Sequence, residues 1–274
     1  MIPVGFGEIS RNAQGVLNRD FFHGTGGVIQ VSTSSDDFRF HSRGKFSDGN
    51  FGANLSGRHA IKGTGIAVSQ SLDNKNQFST KFEYNNSQLR SDVTTNWVPG
   101  TVNIKSGRLG FNYFNALMNS KMSVDLFNPT KVVGSMTMGY GKMVGGSEVT
   151  CDIAQNKFTR YALSMGIYAG KRNLTFLIND AHVMTLTLYQ KLSPQFEAAA
   201  KTTTRFNESN KTSVEVATAY RHNSAQYKLK LNDAGLACLS YKVPFQKNIS
   251  LGLGISMDVC NPTVKKFGWS LNFQ

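Results

Sequence analysis

The residue types that carry most enzyme chemistry are present in this chain, but their spacing fits no catalytic or metal site. The five histidines lie far apart, without the short spacings of a zinc site or a metalloprotease helix. They are His23, His41, His59, His182 and His222. Three cysteines form no CxxC pair, and neither a GxSxG elbow nor a GxxxxGK phosphate loop occurs. These patterns argue against a nucleophilic, metal-dependent or nucleotide-hydrolysing enzyme.

Two weaker candidates have ordinary structural explanations. Glu148 and Asp152 stand at even spacing, which is more typical of one solvated strand face than of an acid/base pair. The segment Gly252-Leu253-Gly254 lacks the third glycine and the following helix of a dinucleotide fingerprint. It fits small residues on one face of a strand. We therefore predict that the protein is not an enzyme and uses no cofactor and no metal.

The composition excludes several other classes. Lys and Arg number 30 against 17 Asp and Glu, a formal charge of +13, while charged residues make up only 17%. Apolar residues are spread along the chain, so disorder is not expected. The longest mostly apolar window, 161–170, contains Ser164 and two glycines, which rules out a membrane-spanning helix. Residues 1–27 contain no apolar secretory core, so we expect the chain to stay inside the cell.

Most of the chain alternates between apolar and polar residues with period two, the pattern of a β-strand with two unlike faces. In residues 183–192, Met184, Leu186 and Leu188 alternate with polar neighbours. The same alternation recurs in residues 226–231, 250–259 and 266–273. Between such runs stand clusters typical of turns. They are residues 34–36, 48–50, 73–76, 85–87, 145–146, 170–173, 207–210 and 232–235.

The spacing of these runs predicts the architecture. They recur about every 13 residues from residue 26 to the end, which predicts roughly 19 strands in one antiparallel meander. A soluble sandwich would turn the apolar face inward, whereas a transmembrane barrel turns it toward lipid. The strands have about the 9–11 residues that a barrel strand needs to cross a membrane. This favours an all-β fold, a transmembrane β-barrel, with a soluble all-β binding protein as the alternative.

The first 25 residues have a different period. Phe6, Ile9, Ala13, Val16 and Leu17 recur at three- and four-residue spacing and predict an amphipathic helix. A glycine-rich joint follows, predicted to act as a hinge because glycine tolerates backbone angles that other residues avoid. Its glycines are Gly24, Gly26 and Gly27. We divide the chain into a helix and hinge, residues 1–25, and a barrel, residues 26–274.

In three places the sequence resembles the mitochondrial porins, the voltage-dependent anion channels of the outer mitochondrial membrane. Residues 8–17 are similar to the porin pore helix, and residues 178–192, with Asn179-Asp180 before Tyr189-Gln190-Lys191, resemble a porin strand pair. Residues 227–241, 251–253 and the C-terminal strand resemble the last four porin strands. The resemblance covers nearly the whole chain in order and spacing. It implies a barrel with the N-terminal helix inside the lumen, voltage gating, and a place in the mitochondrial outer membrane.

The C-terminal strand also fits the sorting signal of mitochondrial barrels, although an ordinary last strand would fit as well. The signal positions are Lys266, Gly268, Leu271 and Phe273. One departure from animal porins concerns the lipid-facing acidic residue of their fourth strand. Here Gln70 stands at that position, between Val68 and Leu72. Whatever that acid does in relatives is in doubt for this chain.

The basic residues predict the function of the lumen. They are spread over most strands instead of forming one patch, which argues against nucleic-acid binding. Basic residues at the alternate strand positions that face the lumen would attract anions, including adenine nucleotides, phosphate and organic acids. The outer face of the barrel would contact membrane lipid. The predicted anion-attracting residues are Arg11, Arg19, Arg39, Arg43, Arg58, Lys228, Lys230 and Lys242.

The helix and the function each leave alternatives. Arg11 and Arg19 beside an apolar stripe are also compatible with a cleavable mitochondrial presequence, although Glu8 and Asp20 argue against it. The porin resemblance leaves two further functions open. One is the channel of the outer-membrane protein translocase, whose basic peptide cargo would favour an acidic lumen. The other is a plugged structural barrel in a larger complex, and self-association stays open as well.

Overall fold

A computed structural model of the chain describes residues 3–24, 26–47, 50–74, 76–100, 104–127, 129–206, 211–260 and 264–274. Nineteen strands and one short α-helix account for most of it. The first ten strands are β1 (Gly27–Ser34), β2 (Phe38–Ser47), β3 (Asn50–Ile61), β4 (Ile66–Asp73), β5 (Phe78–Asn85), β6 (Leu89–Trp97), β7 (Ile104–Phe114), β8 (Met118–Asp125), β9 (Lys131–Tyr140) and β10 (Met143–Asp152). The remaining nine are β11 (Lys157–Ala169), β12 (Arg172–Asn179), β13 (Val183–Lys191), β14 (Phe196–Arg205), β15 (Lys211–His222), β16 (Ala225–Asn232), β17 (Leu236–Gln246), β18 (Ile249–Asp258) and β19 (Val264–Phe273).

These strands form a single 19-stranded sheet in which β1 pairs with both β2 and β19, so the sheet closes into a β-barrel. Consecutive strands pair antiparallel from β3 to β10 and from β12 to β19. The predicted number of strands and the predicted barrel are confirmed. None of the described helices is long and apolar enough to cross a membrane.

The chain contains two compact units. The first consists of Met1–Phe6, Val31–Gly44 and Gly52–Leu163, and it contains β4 to β10 entire. The second consists of Gly7–Gln30, Lys45–Phe51 and Ser164–Gln274. It contains the α-helix α1 (Arg11–Leu17), the 3-10 turn Phe22–Gly24 and the strands β12 to β19.

Most of the predicted turns lie between strands, with one correction. Gly145 and Gly146 lie inside β10, and the turn before that strand is centred on Gly141, whose φ is 59°. Gly146 is small for a packing reason: a Cβ there would lie 2.6 Å from Cγ2 of Thr137 and 3.2 Å from the ring of Phe6. The predicted turn residues 48–49, 75 and 207–210 lie outside the described residues.

The N-terminal helix is shorter than the apolar stripe predicts. Helix α1 has seven residues, and Phe6 belongs to a separate 3-10 turn, Phe6–Glu8. Two glycines, Gly5 and Gly7, disfavour extension of the helix toward Phe6, because each glycine in a helix interior costs about 1 kcal/mol relative to alanine. The stripe nevertheless marks the packed side correctly, since Ile9, Ala13, Val16 and Leu17 are all buried.

Candidate functional site: the polar face and its helix

The two faces of the strands have opposite chemistry, and the apolar one is exposed. On β13, Leu186 and Leu188 are 42% and 45% exposed, whereas Thr187 and Tyr189 are buried. The same inversion appears on β11, where Leu163 and Met165 are exposed and Ser164 is buried. A water-soluble fold would bury the leucines instead. An apolar outer band of this kind is what a barrel presents to lipid, with its polar face turned to the lumen.

Helix α1 packs on the polar face, against β13, β14 and β15. Ala13, Val16 and Leu17 form one buried cluster with strand residues. The strand residues of this cluster are Tyr189, Ala199, Ala217 and Ala219. Three of these four are alanines, so the wall has room for the helix side chains. Full burial of one valine or leucine side chain stabilises by about 1.5–3 kcal/mol, so this contact fixes which side of the helix meets the wall.

The residue before the helix is also fixed to the wall. Ile9 is 2% exposed, and its carbonyl oxygen accepts a hydrogen bond from the Tyr168 hydroxyl on β11. Gly166 on the same strand makes space, because a Cβ there would lie 2.9 Å from Cγ2 of Ile9. Sequence patterns do not indicate this contact, since Tyr168 lies 159 positions further along the chain.

The C-terminal end of the helix is held by a lysine. The ammonium nitrogen of Lys228 on β16 donates to the carbonyl oxygens of Gly15 and Arg19, at 2.8 Å each. It also lies 3.9 Å from a carboxylate oxygen of Asp20. Gly15 lies in the last turn of the helix and Arg19 lies two residues beyond its last residue, and a cation at this end is favoured by the helix dipole.

Asp20 connects the helix end to a second strand. Its Oδ1 lies 3.4 Å from Nζ of Lys242 on β17, and its carbonyl oxygen accepts from the Ser240 hydroxyl on the same strand. Asp20 has a φ of 60°, in the left-handed region that aspartate tolerates better than most residues. With this backbone conformation, both the carbonyl oxygen and the carboxylate of Asp20 contact the strands.

Beyond Asp20, the N-terminal segment lies in a trench lined with glycines of β18 and β19. A Cβ at Gly252 would overlap the Phe22 ring, and one at Gly268 would overlap the Phe22 carbonyl oxygen. A Cβ at Gly254 would lie 2.7 Å from the backbone nitrogen of His23. Gly252 and Gly254 thus are small residues on the polar face, as the sequence predicted, and their role is close packing.

The three predicted hinge glycines have different surroundings. A Cβ at Gly24 would have no non-neighbouring heavy atom within 4 Å, so nothing crowds this position. Gly26 has a φ of 61°, and a Cβ there would lie 2.5 Å from the Phe46 carbonyl oxygen. A Cβ at Gly27 would lie 2.8 Å from the ring of Trp269. Gly26 and Gly27 therefore also allow a close approach of the chain to the sheet.

A cavity of about 280 Å³ separates part of this segment from β15 to β17. Phe21 and His23 line it on one side, and Cys238 and the ion pair of Lys230 with Glu215, 3.3 Å apart, line it on the other. Burial, and then the charges of Lys230 and Lys266, lower the pKa of His23 below its usual value. Within the described residues, no cluster of three His, Cys, Asp or Glu could hold a metal ion.

The predicted anion-attracting residues fall into two groups. Arg39 and Arg43 on β2 are exposed, and Arg19 is exposed on the N-terminal segment. The others lie close to carboxylates: Arg11 with Glu8 at 3.5 Å, Arg58 with Glu83 at 2.7 Å, Lys230 with Glu215, and Lys228 and Lys242 with Asp20. In the described part of the chain, no carboxylate lies within 4 Å of Arg39 or Arg43. Of the wall residues in the set, Arg39 and Arg43 are therefore those whose charge is least compensated nearby, and Arg19 has the same character on the N-terminal segment.

The first compact unit has its own network of polar side chains. They occupy the alternate strand positions that form the polar face. Lys81 lies 2.7 Å from Oε1 of Glu83 and 3.8 Å from a carboxylate oxygen of Asp92, while Arg58 holds the other oxygen of Glu83. At the start of the chain, the carbonyl oxygens of Pro3 and Val4 accept hydrogen bonds from Asn119 and Thr137. These contacts could not be read from alternation, which gives the face of a residue but not its partners.

The remaining predicted residues lie on β4 and β19. Gln70 is exposed on the apolar face of β4, where it lines a groove with Phe38 and Phe78. In the sorting motif, Lys266 is exposed and Gly268 is buried under Phe22. Leu271 and Phe273 lie on the other, apolar face of β19. The sorting role itself stays a prediction.

A closed barrel with an apolar exposed face and a basic polar face that carries a helix is the architecture of a membrane pore. The model of the eukaryotic porin family matches residues 2–268, and the chain belongs to this family. It is 31% identical over 281 residues to non-selective voltage-gated ion channel 2 of Saccharomyces cerevisiae, covering 98% of each chain. It is 27% identical to the mitochondrial outer membrane protein porin of Candida albicans, covering 100% of this chain and 99% of that one.

A solved structure supports the fold independently. A mutant of the Rhodopseudomonas blastica porin superposes with a TM-score of 0.53 at 8% identity, covering 82% of this chain and 91% of that one. At this identity the likeness concerns the barrel fold alone. The sequence-based assignment to the mitochondrial porins is confirmed by the family match.

Proposed function

We propose that this chain is a voltage-gated diffusion pore of the mitochondrial outer membrane with a weak preference for small anions. The observation that carries the proposal is the chemistry of the two faces, an exposed apolar face toward lipid and a polar face with exposed Arg39 and Arg43. Relatives that cover nearly the whole chain are named voltage-gated ion channels and mitochondrial outer membrane porins. Membership of a porin family indicates a pore instead of an enzyme.

In this proposal the selectivity follows from the electrostatics of an aqueous lumen. Fixed positive charge raises the local concentration of anions and lowers that of cations, and salt screens the effect. The preference is weak because much of the charge is compensated locally, as in the pairs of Arg58 with Glu83 and Lys230 with Glu215. Adenine nucleotides, phosphate and organic acids would pass as diffusing solutes.

The N-terminal region and the barrel have separate roles in this proposal. Residues 1–25 supply the lumenal helix and its hinge, and residues 26–274 supply the wall. Arg11 and Arg19 would then add positive charge to the permeation path. Voltage acts on charged segments that move through the membrane field, so a displaceable helix is suited to gating.

Permeability of proteoliposomes tests the proposal. The purified protein is refolded into liposomes loaded with ATP and with a large dextran. We expect rapid ATP release and retention of the dextran, with release slower for a cationic solute of the same size. Retention of ATP by verifiably folded protein would contradict the proposal and favour a plugged structural barrel. Preferential uptake of a basic presequence peptide would favour the translocase channel.

A further inference from the structure

Lys228 differs from every other predicted pore-lining residue in what its charge contacts. Its side chain is 4% exposed, and its ammonium group donates to two carbonyl oxygens at the end of the N-terminal helix. We propose that Lys228 is a positioning residue, which holds the helix on the wall and thereby sets how easily the pore closes. This inference rests on the proposed function of a voltage-gated pore.

The burial of Lys228 supports a positioning role over an anion-attracting one. A buried ammonium group is costly unless it is hydrogen-bonded and paired, and here it donates to two carbonyl oxygens and lies 3.9 Å from the Asp20 carboxylate. Charge-assisted hydrogen bonds are about twice as strong as neutral ones. The charge of Lys228 is therefore engaged by the helix end and is hidden from solvent, so it contributes little to attracting permeant ions.

The helix end is held by one connected set of contacts, which we call the helix latch: Lys228, Ser240 and Lys242 on the wall, with Arg19 and Asp20 on the segment. The latch joins the helix to two adjacent strands, β16 and β17. Apolar packing by Ala13, Val16 and Leu17 orients the helix, and the Tyr168 hydroxyl holds the carbonyl of Ile9 before its first turn. The directional bonds of the latch hold the other end of the helix, at Gly15 to Asp20.

Lys230 provides a matched control. It lies on the same strand and the same face, two residues further on, and it pairs with Glu215 of the neighbouring strand β15 instead of with the helix backbone. Its side chain is 19% exposed. Replacing either lysine by methionine removes one positive charge and keeps a similar length. Only the Lys228 change removes a bond to the helix.

The experiment compares Lys228→Met and Lys230→Met in planar bilayers and in proteoliposomes. For Lys228→Met the closed state should gain at least about tenfold over the open state at a given voltage, because the change removes two charge-assisted hydrogen bonds and the loss of one alone gives about that factor. Trypsin should cut after Arg19 about tenfold faster, because cleavage follows the population of the released segment. Reversal potential in a KCl gradient should stay near the wild-type value. Lys230→Met should move the reversal potential and leave both other readouts unchanged.

Two outcomes would overturn the inference. One is wild-type closing and wild-type cleavage after Arg19 in Lys228→Met. The other is a shift of its reversal potential as large as that of Lys230→Met. If the wild-type protein conducts but never closes with voltage, the proposed gating fails, and cleavage after Arg19 still decides whether Lys228 holds the helix.

A second variant covers the case in which Lys228→Met does not insert. Asp20→Asn changes the N-terminal segment alone, outside every strand, and asparagine accepts the left-handed backbone of this position. It removes the carboxylate that Lys228 and Lys242 share. Easier closing and faster cleavage after Arg11 in Asp20→Asn would support the latch, whereas wild-type behaviour in both would contradict it. Cleavage is measured at Arg11 in this variant because residue 20 belongs to the bond that trypsin cuts after Arg19.

Discussion

The carbonyl oxygen of Phe22 lies so close to Gly268 that a Cβ at that glycine would overlap it. Phe22 belongs to the segment that follows the N-terminal helix, and Gly268 belongs to the last strand, so the contact joins the two ends of the chain. Gly268 is also the glycine of the predicted sorting motif. The same residue therefore has a packing role in the folded protein that is separable from sorting.

Gly268→Ala should loosen the N-terminal segment. The added methyl group has no space, and overpacking of this kind costs about 1–3 kcal/mol. We expect faster tryptic cleavage after Arg19 and easier closure of the pore by voltage. The protein is refolded in detergent before these measurements, so mitochondrial sorting plays no part in the result. Gly134→Ala is the control, because nothing lies within 4 Å of a Cβ at that position. Equal behaviour of the two variants would show that the trench does not hold the segment.

The alanines under the helix give a second prediction. Ala199→Leu should push helix α1 from the wall, because Ala199 is 4% exposed and belongs to the cluster that packs against the helix. Ala200→Leu is the matched control, since the next residue of β14 points to the opposite, apolar face. Open-state current noise should rise in Ala199→Leu and stay unchanged in Ala200→Leu. The reverse pattern would show that the helix does not pack on this face.

The selectivity should depend on Arg39 and Arg43. Reversing both to glutamate should move the reversal potential toward cation preference, because both side chains are exposed and no described carboxylate lies close to either. The shift should shrink from 0.1 M to 1 M KCl, since the Debye length falls from about 10 Å to about 3 Å. Lys62→Glu tests charge outside the strands, in the turn after β3. A shift in Lys62→Glu as large as that of the Arg39 and Arg43 reversals would contradict the assignment.

Acid should weaken the docking of the N-terminal segment through His23. The docked state lowers the pKa of His23 below its usual value of 6.5, by burial first and then by the charges of Lys230 and Lys266. The released segment therefore binds a proton more readily, and docking is full above pH 6.5 and is lost progressively as pH falls below it. Tryptic cleavage is too pH-dependent for this comparison, so the exposure of a fluorophore on the segment is measured from pH 7.5 to 5. His23→Gln should abolish the change, and an unchanged pH profile in that variant would contradict the assignment to His23.

Alternation along the strands predicted their number and favoured a barrel over a soluble sandwich, and the resemblance to the mitochondrial porins added the lumenal position of the helix. Alternation could not predict the helix latch, because Lys228 meets Gly15 across 213 positions, and period two carries no information on such contacts. The sequence showed that the trench positions are glycines, but it did not show why they must be small. The reason is the close approach of the Phe22 segment, which lies far away in the sequence. The turn predicted at Gly145 and Gly146 was wrong because glycine also serves close packing within a strand.

Bilayer recording of the purified protein tests most directly whether the chain forms a voltage-gated pore with a weak anion preference. The reversal potential is measured across a KCl gradient, followed by a voltage ramp of both polarities. We expect a large conductance, a reversal potential on the anion side and partial closure at high voltage. Cation preference would contradict the role given to Arg39 and Arg43. Absence of conductance from verifiably folded protein would contradict the pore itself.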